Sequence, residues 1–487
     1  MAGITIFWFK RDLRLQDNEA LSAAIAYGKP LLLVYLMEPS IWADPHYDER
    51  HLRFVKESLR DLQEELGPYD LHLSAVQIEA LPFFESIFQE FQVEKVFSTR
   101  ETGLEITFAR DIEIADFLKQ SGVVWEEFQA NGVLRGKQDR SDWRKSWYAY
   151  MNAPIADPNL QNATSLPLEK LPEIIQSDIL DLDTPETEFQ RGGTQEGRKW
   201  MESFFDHRIA NYAAYISKPE LSRSGCSRLS PYFAWGNLSI REVFQRAKEF
   251  KKSSRYKREA NAFMSRLRWQ SHFIQKFEME PRMEFEAINR AFLSLEQPLN
   301  PVYIKAWQEG KTGYPLVDAS VRCVVQTGYI NFRMRAMITS FLTHHLFQHF
   351  KTIGPWLARQ FLDFEPGIHY GQLQMQAGFT GTNTVRVYNP TRNAQAHDPD
   401  ADFIKKYVPE LRNLPSHLAI TPWEITPLEE GYYEFQYGHD YPKRIVLTEN
   451  TRKEALQKLY GTRKQTLAKA EKQRILKKHT LPGPRNA

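Results

Sequence analysis

Short apolar runs alternate with helical stretches over the first 131 residues, and this alternation constrains the fold more than any other feature of the chain. The apolar runs cover residues 3–9, 30–36, 71–76, 95–98 and 123–128. The helical stretches cover residues 18–27, 51–66, 83–91 and 105–120. Buried strands that alternate with helices predict an α/β domain with a doubly wound parallel sheet.

The turn after the first strand is highly charged and reads K-R-D-L-R-L-Q-D-N-E-A-L from Lys10 onward. It lacks the G-x-G-x-x-G fingerprint of dinucleotide-binding folds. Asp17 or Asn18 is expected to cap the helix that follows. From its residues alone, we interpret this turn as a solvated loop between a strand and a helix.

Residues 132–198 lose the strand–helix pattern and are rich in proline. The prolines considered are Pro154, Pro158, Pro167, Pro172 and Pro185. We interpret this segment as a long interdomain connector that wraps the surface. Residues 199–450 have helical patterns and predict an all-α domain, whereas residues 451–487 predict a basic helix and a tail whose last six residues, 482–487, are disordered. A length of 487 residues agrees with roughly two to three domains.

Composition argues against several classes of protein. The two cysteines, Cys226 and Cys323, make neither a disulfide framework nor a four-cysteine iron–sulfur cluster, so we expect a reducing, cytoplasmic location. No segment approaches the ~20 apolar residues of a membrane helix, and the first residues do not resemble a signal peptide. A net charge of +2 indicates no particular partner, and we expect a monomer. His345 and His349 lie at i, i+4, but no third ligand follows, so we predict no metal site.

Residues 328–411 contain the most distinctive candidate site. The apolar positions at helical spacing are Met334, Met337, Ile338, Phe341, Leu342 and Phe347. Arg335 lies among them, and a buried guanidinium needs a carboxylate, for which Asp363 or Glu365 is the nearest candidate. The residues expected to break regular structure are Pro366, Gly367, Gly371, Gly378 and Gly381. A buried arginine followed by a loop of carboxylates and amides suits a flat polar cofactor, and the alternative is a loop-rich core with a structural ion pair.

Several ordered motifs resemble those of the photolyase/cryptochrome family. They are G-Y-I-N-F-R-M-R from Gly328, F-L-D-F-E from Phe361, N-P at Asn389 and D-P-D-A-D-F-I-K-K-Y-V-P-E-L from Asp398. Residues 306–319 and 7–21 also match family segments, so the similarity runs along most of the chain. The resemblance implies an antenna-type α/β domain joined by a long connector to a helical domain that binds FAD. It also implies a second antenna chromophore, whose identity no residue indicates.

The resemblance assigns a set of cofactor-binding residues. They are Tyr212, Cys226, Ser227, Arg228, Leu229, Ser230, Phe263, Gln270, Phe332, Arg335, Asp363, Glu365 and His369. The segment G-C-S-R-L-S-P from Gly225 is similar to the T-S-x-L-S-P segment that binds the flavin pyrophosphate, and a helix start suits an anion. Cys226 stands where the family has Thr, so one hydroxyl contact is lost. The aromatic residue beside the phosphates is either Tyr212 or Tyr215, and plain capping of a structural helix is the alternative role of the segment.

The resemblance also indicates Trp269, Arg266 and His369 as catalytic candidates. Trp269 matches the tryptophan of the family's E-L-x-W segment, but Arg266 stands in place of the glutamate that contacts a cyclobutane dimer, and Gln270 in place of an arginine. His369 occupies the position that faces flavin N5. A histidine there is either a hydrogen-bonded structural residue or a proton donor.

The positions of the family's electron-transfer chain depart from the pattern as well. Leu373, Phe350 and Gln297 stand where the three tryptophans are expected, and Phe332 and Ala336 stand where six-four photolyases carry histidines. We therefore predict that flavin photoreduction does not use the usual chain. The nearest other donors by sequence are Tyr370, Tyr329 and Trp356.

Three functions are compatible with these features. The favoured one is repair of ultraviolet-damaged DNA, in which reduced FAD donates an electron to a pyrimidine dimer, and Trp269 and the basic C-terminal stretch support it. A blue-light photoreceptor of the cryptochrome type is the alternative, supported by the lost glutamate, histidines and tryptophans. A light-independent nucleic-acid-binding protein would follow if no flavin bound.

Overall fold

A computed structural model describes residues 3–167, 171–172 and 188–481 of the chain. The strands are β1 Gly3–Phe9, β2 Leu31–Leu36, β3 Leu73–Val76, β4 Gln92–Thr99 and β5 Val124–Phe128. The helices among them are α1 Glu19–Ala26, α2 Pro39–Trp42, α3 Glu49–Leu66, α4 Ala80–Glu90 and α5 Glu105–Gln120. All strand pairs are parallel, in the order β3-β2-β1-β4-β5.

Both faces of the sheet are covered by helices. On one face, Ile6 and Trp8 of β1 pack with Phe83 of α4. On the other face, Phe7 and Phe9 belong to a core that includes side chains of α1 and α3 and continues into the helical part of the protein. A strand buried on both faces is apolar throughout, which is why the alternation of apolar runs and helices was informative. The predicted doubly wound α/β fold is confirmed.

The charged turn after β1 is a buried joint rather than a solvated loop. Asn18 caps α1, since its side chain accepts a hydrogen bond of 3.1 Å from the Leu21 N–H. The other candidate cap, Asp17, is fully buried and pairs with Arg241, whose Nε lies 3.0 Å from each carboxylate oxygen. Arg11 donates to the carbonyl of Ala234 at 2.9 Å. The interpretation as a solvated turn was wrong because these partners lie more than 200 residues away.

The first part of the predicted connector contains a packed helix, α6 Trp143–Asn152. Trp143, Trp147 and Met151 are buried at i, i+4 and i+8, and Trp147 contacts Phe244 with ring centroids 5.2 Å apart. The sequence analysis interpreted this segment as a surface connector and did not detect the helical spacing, because the prolines around it dominated the composition. Pro185 and the tail at 482–487 lie outside the described residues, and the domain boundaries at 131, 198 and 450 stay predictions.

The rest of the chain is helical, as expected. The helices are α7 Thr194–Asp206, α8 Tyr212–Tyr215, α9 Leu221–Gly225, α10 Ser230–Ala234, α11 Ile240–Ser253, α12 Lys257–Met279, α13 Pro301–Gln308, α14 Pro315–Thr327, α15 Phe332–Ser340, α16 Phe350–Gln360, α17 Pro366–Gln376, α18 Pro390–His397, α19 Asp402–Tyr407, α20 Ser416–Ile420, α21 Pro427–Tyr433, α22 Thr448–Lys464 and α23 Thr466–His479. The helix predicted around Arg335 is α15, which continues as one π-helical turn over Phe341–His345. A helical domain therefore follows the α/β domain.

Helix α17 occupies the segment for which an irregular loop was predicted. Pro366 stands in the first turn, where a missing N–H costs nothing. A Cβ at Gly367 would lie 2.7 Å from Cα of Ile274, and a Cβ at Gly371 would lie 2.9 Å from the Phe273 ring, so both glycines let α17 approach α12 closely. This packing offsets a helix-propensity cost of about 1 kcal/mol per glycine. The prediction was wrong because it treated these glycines as breakers.

The basic C-terminal stretch forms two helices, α22 and α23, rather than one. Arg474 and His479 of α23 both bind Glu280, at 2.9 and 2.6 Å, and Arg463 of α22 donates to the Gly378 carbonyl. Some of the basic side chains therefore hold α22 and α23 against the helical domain. The lysines that stay exposed are Lys453, Lys458, Lys464, Lys469, Lys472 and Lys477.

Candidate functional site

A cavity of about 230 Å³ lies between α15, the end of α16 and α17 in the helical domain. Its walls include Phe332 and Ala336 from α15, Leu357 from α16, and His369 and Leu373 from α17. Apolar and aromatic walls with a few polar groups are typical of cofactor pockets. The cavity therefore lies in the stretch that the sequence indicated as a cofactor site.

Arg335 and Asp363 form an ion pair at the wall of this cavity. Nη2 of Arg335 lies 2.9 and 2.8 Å from the two carboxylate oxygens of Asp363, and Nε donates to the Ile330 carbonyl at 3.0 Å. The guanidinium stacks 3.9 Å from the centroid of the Phe361 ring. The carboxylate is buried, whereas the arginine side chain is 25% exposed. Of the two carboxylates considered, Asp363 is the partner.

The cavity wall carries polar groups that protein atoms satisfy only in part. Oε1 of Gln372 is buried and has no hydrogen-bond partner. Glu365, which accepts from the Gly367 N–H at the start of α17, has its pKa raised to about 7 by burial. A buried acceptor without a partner costs about 1–3 kcal/mol unless a ligand or water satisfies it. These residues fit a flat cofactor with hydrogen-bonding edges.

Two arginines beside the 226–230 segment make no ion pair with a carboxylate in the described part of the chain. Arg208 donates to Ser203 Oγ at 2.9 Å and to the Ser227 carbonyl, and Arg228 donates to Gln190 Oε1 at 2.8 Å. Both Nε atoms are buried and unpaired. Burial, together with the charge of Arg228, lowers the pKa of Arg208 to about 10. Two uncompensated guanidinium groups favour an anionic ligand.

Arg208 was not identified from the sequence because no motif or local pattern distinguishes it from the other arginines. Arg228 lies 3.9 Å over the ring of Tyr329, which lines the cavity, so the pair of arginines adjoins the cavity. Ser230 also lines the cavity and begins α10, as predicted. That helix has only five residues, and the two arginines place positive charge beside its start.

Several residues assigned by resemblance do not line the cavity. Tyr212 lies in an aromatic cluster, with ring centroids 5.6 Å from Phe204 and 5.9 Å from Phe263. Cys226 and Leu229 are buried in the same core, Ser227 is partly buried, and Gln270 of α12 is outside the cavity wall. Their roles toward a cofactor stay predictions.

His369 lines the cavity in a defined protonation state. Its Nε2 lies 2.9 Å from the Gly354 carbonyl, and because a carbonyl only accepts, Nε2 carries the proton and Nδ1 is an acceptor. Burial lowers the pKa of His369 to about 3, so the ring stays neutral at physiological pH. This geometry favours the hydrogen-bonded role over the proton-donor role.

Trp269 and Arg266 lie on the exposed side of α12. The Trp269 side chain is 46% exposed, and its ring lies 5.8 Å from Phe273, the residue that packs on Gly371 of α17. Phe332 is 49% exposed and lies on the cavity wall. Two exposed aromatic rings thus adjoin the helices that enclose the cavity.

A second, much smaller cavity lies at the carboxyl edge of the sheet, where doubly wound folds bind ligands. It measures about 40 Å³ and is lined by Trp8, Trp42, Tyr47, Arg110 and other residues. Arg110 is bound there by Glu101 at 2.8 Å and by Glu38, and burial raises the pKa of Glu38 to about 7. Side chains fill most of this edge.

No helix within residues 3–167, 171–172 and 188–481 is both long enough and apolar enough to cross a membrane. Over those same ranges, His, Cys, Asp and Glu side chains do not gather in groups of three or more that could hold a metal ion. His345, which the sequence left as half of a possible pair, bonds Thr451 and the Tyr388 carbonyl instead.

Comparison with known proteins agrees with this geometry. Residues 5–146 match the family described as DNA photolyase, and residues 263–461 match the FAD binding domain of DNA photolyase. The deoxyribodipyrimidine photo-lyase of Vibrio cholerae is 27% identical over 481 residues, covering 94% of this chain and 99% of that protein.

Two solved structures share the fold over nearly their whole length. The class III photolyase of Agrobacterium tumefaciens superposes with a TM-score of 0.83 at 24% identity, covering 96% of this chain and 98% of that one. The cryptochrome of Synechocystis gives a TM-score of 0.83 at 22% identity, covering 93% and 99%.

Proposed function

The chain belongs to the photolyase/cryptochrome family, and from this premise we propose that it is an FAD-dependent, blue-light-driven DNA photolyase. Its substrate would be ultraviolet-damaged DNA, in which pyrimidine dimers are split by electron transfer from reduced flavin. The observation that carries the proposal is the cavity with the exposed ring of Phe332 on its wall, together with the exposed ring of Trp269, which contacts Phe273 where α12 packs on α17. Exposed aromatic side chains next to a deep pocket suit a base that is extruded from a duplex.

The residues of the cavity would hold FAD in a particular way. Asp363, Arg335 and Gln372 would bond the polar edge of the ring system, and Nδ1 of His369 would accept a hydrogen bond from it. Arg208 and Arg228 would balance the charge of the diphosphate. The bound flavin supplies light absorption and the transferred electron.

A second chromophore would bind in the α/β domain. Its place would be the carboxyl edge of the sheet, where the cavity of about 40 Å³ has room for only a few waters. A ring system would enter there only if a side chain such as the partly exposed Trp42 moved away. We therefore propose that FAD is the working chromophore. We also propose that the protein is a cytoplasmic monomer, as expected from its sequence.

The cryptochrome-type photoreceptor is the second candidate function. It is favoured by Leu373 and Phe350, which are buried at positions of the family's tryptophan chain, and by Arg266, which stands in place of the lesion-contacting glutamate. A repair assay separates the two functions. The photoreduced protein, illuminated with oligonucleotides that carry cyclobutane or six-four dimers, should restore the undamaged bases of at least one of them. Absence of repair for both would favour the photoreceptor.

Trp269→Ala should weaken binding to damaged DNA selectively. A base stacked on an aromatic ring contributes about 1–3 kcal/mol, and this contact exists only when a damaged base leaves the duplex. Dissociation constants for ultraviolet-damaged and undamaged oligonucleotides of equal length measure the effect. Tyr432→Ala, which removes an even more exposed ring from α21, is the control for loss of a surface aromatic. Equal losses on both DNAs would mean that Trp269 does not contact the lesion.

A further inference from the structure

A hydrogen-bonded chain of tyrosine, histidine and aspartate is buried between the two domains. The Tyr370 hydroxyl of α17 bonds Nε2 of His46, which lies in the segment after α2. Nδ1 of His46 lies 2.6 Å from Oδ1 of Asp44. Tyr370 and His46 are buried, whereas Asp44 is partly exposed. The chain thus leads from the interior of the protein toward solvent.

This chain adjoins the cavity without being part of its wall. The Tyr370 ring lies 5.2 Å from the ring of His369, and the His46 ring stacks 5.7 Å from that of Phe364. His369 and Phe364 both line the cavity. A Cβ at Gly354 would lie 3.3 Å from the Tyr370 hydroxyl, so the absence of a side chain there leaves room for the contact. Tyr370 is therefore one residue layer from a cofactor bound in the cavity.

The hydrogen-bond pattern defines the protonation states. A carboxylate only accepts, so Nδ1 of His46 carries the proton and Nε2 accepts from Tyr370. Burial raises the pKa of Tyr370, so the phenol stays protonated and donates. Burial opposes ionisation of Asp44, but the hydrogen bonds from His46 outweigh it and lower the pKa of that carboxyl. The arrangement is a phenol with a base already in place.

We propose that Tyr370 is the electron donor that photoreduces FAD in this protein and that His46 is the base that receives its proton. The proposal depends on the proposed function, because it requires light and a bound oxidised flavin. The phenolic O–H bond breaks, the proton moves to His46 Nε2, and one electron passes to the light-excited flavin. Tyr370 becomes a neutral radical, the flavin is reduced by one electron, and Asp44 stabilises the imidazolium.

Other aromatic residues near the cavity have less suitable surroundings. The Arg228 guanidinium lies 3.9 Å over the Tyr329 ring, and the Arg11 guanidinium lies 4.6 Å from the Trp235 ring. A nearby positive charge opposes the removal of an electron. Trp356 contacts Trp307 at 5.3 Å, and the Trp307 N–H donates to the Ile338 carbonyl, which is not a base that could take up its proton. Tyr370 alone among these rings combines proximity with a proton acceptor in the described structure.

Flash photolysis of the flavin-loaded protein tests the proposal. The wild type should form a tyrosyl radical with the rise of reduced flavin, and deuterated solvent should slow that rise. Tyr370→Phe should abolish the radical. His46→Gln keeps a hydrogen-bond acceptor but not a base, so photoreduction should slow by about a hundredfold. Trp356→Phe should behave as wild type.

Two measurements separate failure of this proposal from failure of the proposed function. Flavin content, read from visible absorbance, reports on cofactor binding, and absence of flavin from the wild type would overturn both. Normal flavin content with a tryptophan radical, or with wild-type photoreduction in Tyr370→Phe, would overturn only the donor assignment. In the dark, nitrogen-15 shifts of His46 should show a protonated Nδ1 and an unprotonated Nε2. The reverse tautomer would also contradict the proposal.

Discussion

Asp363→Ala should give a protein that purifies without most of its flavin. The carboxylate of Asp363 is the acidic partner of Arg335 in the described structure, and both of its oxygens are used. Removing one member of a buried ion pair costs about 3–5 kcal/mol, and the partial exposure of Arg335 places the loss near the lower end. The ratio of flavin to protein absorbance measures cofactor content, and thermal unfolding measures stability.

Two controls make this result specific to the ion pair. Asp363→Asn keeps the shape and one acceptor, so it should lose less flavin than the alanine variant. Asp402→Ala removes an exposed carboxylate in the first turn of α19 and should keep full flavin content. Full yellow occupancy in Asp363→Ala would exclude Asp363 from the cofactor site.

Arg241→Ala should destabilise the whole protein through the joint between the domains. Arg241 is 1% exposed and binds Asp17, which is 0% exposed, with a further contact of 2.6 Å to Glu19. The variant leaves the Asp17 carboxylate buried without its cation, and we expect a loss of about 3–5 kcal/mol in the free energy of unfolding. Urea unfolding at neutral pH, followed by circular dichroism, measures it.

The pH dependence of stability offers a second measure of the same joint. Burial opposes ionisation of Asp17, but hydrogen bonds from Arg241 and Ser239 outweigh it and lower its pKa in the folded protein. The pair therefore stabilises the fold above the normal pKa of aspartate, and this contribution is lost as the pH falls through the lowered value. Arg241→Ala should show a smaller loss of stability in acid than the wild type does.

Arg246→Ala is the matched control, since Arg246 and its partner Glu202 are both substantially exposed and lie 3.1 Å apart. Exposed pairs contribute about 0–1 kcal/mol. Equal costs for the two arginine variants would show that burial of the Asp17–Arg241 pair does not matter for stability.

The sheet could be predicted closely because its signal is local. Strand β1 spans Gly3–Phe9 and helix α5 spans Glu105–Gln120, the same bounds as the sequence patterns. A strand buried on both faces must be apolar throughout, and a helix that covers a sheet must have one apolar side. Neither requirement depends on distant residues.

The joint and α17 could not be predicted in this way because distant partners determine them. Asp17 stands in a charged turn, and only contact with Arg241 explains its burial. The glycines at 367 and 371 act through their approach to α12, which no local pattern records. Propensity is a weak guide wherever tertiary packing overrides it.

The candidate site also combines residues that the sequence could indicate with residues that it could not. The Arg335–Asp363 pair was accessible to prediction because a buried arginine requires a nearby acid, and 28 residues separate them. His46 and Tyr370 are separated by 324 residues and belong to different domains, so no spacing in the sequence connects them. Arg208 was likewise recognisable only once its lack of a carboxylate partner could be seen.

The wavelength dependence of repair tests the central claim most directly. Repair of dimer-containing DNA is measured at a series of wavelengths with wild-type and Asp363→Ala protein, each with a dark control. The proposed function predicts that the yield follows the absorption spectrum of the reduced flavin bound to the protein, and that the variant repairs little at any wavelength. Repair in the dark, or equal repair by a flavin-free variant, would contradict the assignment of a light-driven flavoenzyme.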